Sequence, residues 1–129
     1  MAFIEYNPNP EGKRTDDCVV RAITKVTGYD WERVYAELAV QGMKYHDLFE
    51  KNYVWINYLR GKGYSRFAIP NTCPDCYTVA QFAEDHPRGT FLLGTGTHVV
   101  AVIDGDYYDT WDSGHEVPVF YLWRDEDGL

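Results

Sequence analysis

The chain has 129 residues, 45% of them hydrophobic and 25% charged, which is enough apolar material for one self-supporting core and fits a single domain spanning residues 1–129. Twenty acidic residues against twelve basic ones give a formal charge of −8, so the basic footprint that displaces counterions from nucleic acid or anchors to anionic lipid is missing. Eleven Tyr within an aromatic share of 16% exceed the needs of a small core and suggest a groove or contact surface.

Residues 1–16 read as an extended arm, because Asn7-Pro8-Asn9-Pro10-Glu11-Gly12 is a run of turn formers. The segment lacks a basic head followed by an apolar stretch, so a cytoplasmic chain is expected. A helix is predicted over 17–27, with Val19, Val20, Ala22, Ile23 and Val26 at near-helical spacing and a stop at Gly28. Asp30 caps a second helix that should end at Gly42, and a third is predicted over 47–59. Arg66–Ile69 reads as a short strand, and Thr78 caps a helix over 79–85. Four strands are predicted after it: 90–93, 97–103, 106–111 and 117–123. Asp104-Gly105 between the second and third is a two-residue hairpin signal. Residues 124–129 form an acidic tail. Helices first and strands after them predict an α+β fold, with N-terminal helices packed on a C-terminal antiparallel β-sheet.

Cys18 falls at a helix start, where unpaired N–H groups and the helix dipole favour an anion, although Asp16 and Asp17 oppose it. A nucleophilic thiol also needs a base. His98 heads an otherwise apolar strand, Val99-Val100-Ala101-Val102-Ile103, and is the candidate. The hairpin returns two carboxylates beside it. With a two-residue loop Asp109 lies diagonal to His98, and with a three-residue loop Asp112 lies opposite. The tight turn favours Asp109, and either would orient the imidazole.

This order, a Cys opening a helix, a His opening a strand and an Asp on the next strand, resembles that of papain-like cysteine peptidases. Asp17-Cys18-Val-Val-Arg21-Ala22, Gly96-Thr-His98-Val-Val-Ala-Val-Ile-Asp-Gly105 and Tyr108-Asp109-Thr-Trp-Asp112 are similar to segments of small papain-fold proteins of bacteria and their phages. The resemblance implies a papain-like fold and a thiol hydrolase that cleaves a peptide, isopeptide or related amide. Cys18 would be the nucleophile, His98 the general base and acid, and Asp109 or Asp112 the orienting residue. Papain-like enzymes commonly carry a Gln a few residues before the nucleophile, where this chain has Gly12 and Lys13. The oxyanion donors expected instead are the backbone N–H of Cys18 together with Asn9, Asn7 or Thr15. The alternative function is a non-catalytic binding or inhibitor protein on the same fold.

No cofactor is expected, since Gly94-Thr95-Gly96 lacks the Lys and helix of a phosphate loop. Cys73-Pro74-Asp75-Cys76 is expected to carry loop thiols, because three Cys in a reducing compartment do not make a disulfide framework. A zinc site that also used His86 or His115, or a redox pair, are the alternatives for this motif. The partner expected is a peptide or protein substrate, with no nucleic acid and no membrane.

Overall fold

The computed structural model describes residues 1–125. The acidic tail of the sequence reading falls largely on residues 126–129, outside that range. The fold is α+β, and among the described residues it has four helices and one sheet of six strands. The helices are α1 (Cys18–Thr27), α2 (Trp31–Tyr45), α3 (Asn52–Arg60) and α4 (Val79–Asp85). The strands are β1 (Ala2–Glu5), β2 (Ser65–Ala68), β3 (Thr90–Gly94), β4 (Val99–Ile103), β5 (Asp106–Asp109) and β6 (Phe120–Trp123). No helix of the described residues is long and apolar enough to cross a membrane.

The sheet order is β1-β5-β4-β3-β6-β2. Four neighbouring pairs are antiparallel, and β1 runs parallel to β5. The sheet is therefore mixed, which corrects the antiparallel expectation. The arm is corrected with it: its first residues pair Ala2 with Asp106 and Glu5 with Asp109. Four residues whose partner lies about a hundred positions downstream carry no local signal of that pairing.

Alternation along the strands divides the core into two layers. Leu92, Val99, Ala101, Phe120 and Leu122 point to one face and pack with Val20 and Ile23 of α1, Val34 and Leu38 of α2, and Trp55 and Leu59 of α3. Phe91, Leu93, Val100, Val102 and Tyr107 point to the other face, against Val79, Phe82 and Ala83 of α4. Both faces are covered, which explains why β3 and β4 read as continuous apolar runs.

Two turns depart from their sequence reading. Gly42 does not end α2, which runs on to Tyr45 and closes at His46 in the left-handed region (φ 52°). Gly42 is there for closeness: a Cβ on it would lie 2.7 Å from the carbonyl oxygen of Asp47, whose N–H donates to Gly42 O at 3.0 Å. The returning turn uses up residues 47–51, so α3 starts only at Asn52. The β4–β5 hairpin matches its signal. Asp104 (φ 50°) and Gly105 (φ 84°) both take positive φ, the two-residue turn that fits strand twist, and Ile103 pairs with Asp106.

Cys73 and Cys76 form a disulfide, with Cα atoms 4.1 Å apart, where loop thiols were expected. A local turn brings them together: Thr72 O accepts from Asp75 N–H at 3.0 Å, and the Asn71 side chain accepts from Cys73 N–H at 3.0 Å. Three-residue spacing closes such a bridge without the framework that an even Cys count would imply. Both sulfurs are bonded to each other, and no cluster of three metal-ligating side chains occurs among the described residues.

Gly94 ends β3 beside Phe120, and a methyl group on it would lie 2.2 Å from Cζ of that buried ring. Gly94→Ala should therefore destabilise the fold by about 1–3 kcal/mol through overpacking. Urea unfolding is the measurement, and an unchanged midpoint would show that the ring moves aside freely.

Candidate functional site

Cys18 is the first residue of α1, and its thiol is free and half-buried. The helix is anchored beneath it by Val20 and Ile23 in the core, and it ends at Gly28, whose N–H donates to Thr24 O. His98 immediately precedes β4, as the last residue of a turn. Thr95 N–H donates to His98 O at 2.9 Å, and His98 N–H donates to Thr95 Oγ1 at 3.1 Å. Gly96, with φ 113°, supplies the backbone conformation this turn needs. Asp109 ends β5, with its backbone carbonyl held by Tyr6 N–H at 2.8 Å just beyond β1.

The structure brings these three residues together. Asp109 Oδ2 lies 2.5 Å from His98 Nε2 and accepts from Ser113 Oγ at 2.7 Å. Its Oδ1 accepts from Arg21 Nη2 at 2.9 Å and from Thr110 N–H at 2.8 Å. With Nε2 committed to the carboxylate, Nδ1 is the ring nitrogen left for a second partner, and Cys18 lies near enough to bear on the ring's pKa. Trp111 covers the ring, with centroids 4.9 Å apart. Asp112 does not take part. Its Oδ1 accepts from Tyr107 Oη at 2.6 Å and from Gly114 N–H at 3.0 Å, so this carboxylate folds the turn after β5 and Asp109 alone orients the imidazole.

Asp109 is fully buried, and its pKa still falls below the ordinary carboxylate value. Burial pushes it up, but the bonds from His98 and Ser113 and the charges of His98 and Arg21 pull it further down. For His98, burial disfavours the charged ring, yet the hydrogen bond and charge of Asp109, joined by the influence of Cys18, win and raise its pKa to about 9. The favoured state around neutral pH is therefore an imidazolium on a carboxylate.

Beside these groups opens a cleft of about 860 Å³. Its lining includes Cys18, Thr97, His98 and Trp111 together with Trp31, Tyr35, Phe49 and Asn52. Of the expected oxyanion donors, Thr15 reaches the cleft. Asn7 and Asn9 are not among the lining residues. The Asn7 amide donates to Lys13 O at 3.1 Å, and Asn9 Oδ1 accepts from the N–H groups of Glu11 and Lys13, so both side chains hold their own loop together. Asp17 occupies the N-cap position of α1 but makes no side-chain capping bond, so it does not occupy the first-turn N–H groups beside Cys18.

Sequence reasoning missed Arg21, Asp17, Ser113 and Trp31 as parts of the site. Arg21 is 4% exposed, and its Nη1 donates to Asp17 Oδ1 at 2.5 Å. The available signal was a lone cation in the apolar run Val19–Ile23, one turn below Cys18 and four residues after an acid. His86 is held elsewhere, stacked on Phe82 with Nδ1 2.7 Å from Phe82 O, and His115 lies beside Trp111.

No protein-family model, curated protein or solved structure matches this chain. The chemistry must be read from the geometry. A thiol and an imidazole line one cleft, and a buried carboxylate bonds to the imidazole and holds positive charge on the ring.

By proton NMR, the His98 ring should titrate near pH 9, against about 6.5 for an unperturbed His. Because the folded value is the higher one, the stability His98 contributes is complete below about pH 6.5 and is lost as pH rises through about 9. The gap in denaturation midpoint between the native protein and His98→Ala should narrow across that window. Asp109→Asn should return the ring midpoint toward 6.5. A native midpoint already near 6.5 would contradict the imidazolium–carboxylate pair.

Proposed function

We propose that the protein is a papain-like thiol hydrolase that cleaves a peptide, isopeptide or related amide. The observation that carries this reading is the contact of His98 Nε2 with a buried carboxylate, with His98 and Cys18, the one free thiol of the described residues, lining the same cleft.

The steps follow from the positions. In the reactive state the Cys18 proton is already on His98, an imidazolium steadied by Asp109, and the sulfur is a thiolate. The sulfur attacks the substrate carbonyl carbon, and the C=O electron pair moves onto oxygen. The oxyanion meets the uncapped N–H groups at the start of α1, with Thr15 near. The intermediate collapses, the C–N bond breaks, and the imidazolium gives its proton to the departing amine. This leaves a thioester. Water then loses a proton to His98, attacks the thioester and releases the acid, and the sulfur departs as the thiolate beside the imidazolium. Trp111 limits water around the His98–Asp109 contact.

A second reading, a non-catalytic binding module on the same fold, draws on exposed apolar side chains along and after α2: Val40 (53%), Met43 (73%) and Leu48 (61%). It requires the partner to be held equally well without the thiol.

Cys18 should be the alkylation site of the native protein, because Cys73 and Cys76 are bonded to each other. Iodoacetamide should label it at pH 7, and Cys18→Ala should abolish labelling and hydrolysis of a fluorogenic peptide or isopeptide library. His98→Ala should lower turnover about 10²–10⁴-fold, the usual contribution of a general acid–base. Labelling that requires pH above about 8.5, the range of an ordinary thiol, and is indifferent to His98→Ala would end the hydrolase reading.

A further inference from the structure

The chain of buried bonds does not stop at Asp109. From the cleft wall inward it runs from Trp31 Nε1 to Asp17 Oδ2 at 2.9 Å and from Arg21 Nη1 to Asp17 Oδ1 at 2.5 Å. It continues from Arg21 Nη2 to Asp109 Oδ1 at 2.9 Å and from Asp109 Oδ2 to His98 Nε2 at 2.5 Å. Asp17 (8% exposed), Arg21 (4%) and Asp109 (0%) are all withdrawn from water.

Three features set this apart from an ordinary stabilising ion pair. First, Asp17 sits at the N-cap of α1 and forgoes the capping bond such a residue normally makes, in favour of Arg21 and Trp31. Second, the guanidinium is used as a fork, one nitrogen on each carboxylate, which fixes direction as well as charge. Third, two carboxylates and one guanidinium leave one negative charge, so the buried cluster is balanced when His98 is protonated.

We propose that Arg21, held by Asp17, is a positioning residue of the site: it locks the Asp109 carboxylate so that Oδ2 faces the imidazole, and Trp31 clamps the assembly from the cleft wall. A substrate group seated against Trp31 thus contacts the outer end of the frame that aims His98. The proposal rests on the hydrolase reading only for its catalytic meaning.

The other titratable or charged groups around this frame are Cys18 of α1, Arg14 and Asp16 of the preceding segment and Glu50, which line the same cleft, and His115, whose ring lies 6.0 Å from that of Trp111. Arg14 is engaged with Thr110 O and Glu5.

Arg21→Lys is the deciding variant, because it keeps the positive charge and removes the fork. In the folded variant the His98 NMR midpoint should fall by at least about one pH unit, a tenfold change in the imidazolium equilibrium, and iodoacetamide labelling of Cys18 at pH 7 should slow by a similar factor. A midpoint that stays near 9 would overturn the proposal, leaving Arg21 a counter-charge only. A midpoint that rises would overturn it too, since Asp109 would then still be aimed at the ring. If Arg21→Lys does not fold, Trp31→Phe decides. It removes one N–H donor at a half-buried ring, so the midpoint should fall in the same direction, and an unchanged midpoint overturns the clamp and with it the proposal.

The midpoint is read without turnover. A fall in Arg21→Lys in a protein whose native Cys18 resists alkylation would sink the hydrolase reading and leave the frame standing. Brisk native alkylation with an unmoved midpoint would do the reverse.

Discussion

A fully buried carboxylate is the constraint on which the rest of this structure depends. Asp109 has no access to water, and an ionised acid in that position is tolerated only if its lone pairs are answered. Four donors answer them: the His98 ring, the Ser113 hydroxyl, the Arg21 guanidinium and the Thr110 N–H. Each comes from a different local solution to chain folding. Ser113 arrives by the turn that Asp112 ties to Tyr107, Arg21 by the inner face of α1, and His98 by the β3–β4 turn. Asp109 is therefore a meeting point of helix, hairpin and turn, and a change at any of them reaches the imidazole.

The sheet makes that meeting possible. Hairpin register is strict where both faces of a sheet are buried, because a slip of one residue would turn every side chain to the wrong layer. Val102 opposite Tyr107 and Ala101 opposite Tyr108 set the register, and the pairing sets where Asp109 falls relative to His98. The parallel strand β1 supports the far side. It pairs Glu5 with Asp109, so the carboxylate is carried by an interior strand of the sheet and not by an edge.

What could be read in the sequence and what could not separate along physical lines. Local signals were legible: the Asp104-Gly105 turn, the apolar spacing of α1, the stop at Gly28 and the capping Thr78 all act within a few residues. The choice of Asp109 followed from turn chemistry, because the two-residue loop places it diagonal to His98. Asp112 stayed an open alternative only while loop length was open. Contacts across the chain left no such mark. β1 is short and pairs with a distant strand, Gly42 serves a neighbouring turn, and Asn7 and Asn9 look like free amides until their loop closes on them. Arg21 shows the limit most clearly. Its spacing from Asp17 was visible, but its burial depends on Asp109, which lies 88 residues away.

The position of Asp17 joins the two halves of the site. An acid beside the Cys at a helix start looked unfavourable, since a nearby carboxylate opposes negative charge on sulfur. Its charge is instead drawn inward, to the buried guanidinium and the indole of Trp31. The same rearrangement leaves the first turn of α1 uncapped by its side chain, next to Cys18. One residue thus ties its charge to a buried guanidinium, leaves the first-turn N–H groups without a side-chain cap and braces, through Arg21, the carboxylate that holds the imidazole. In a chain this short, such sharing of roles takes the place of separate supporting elements, and it accounts for a charged cluster in a core that otherwise follows apolar packing.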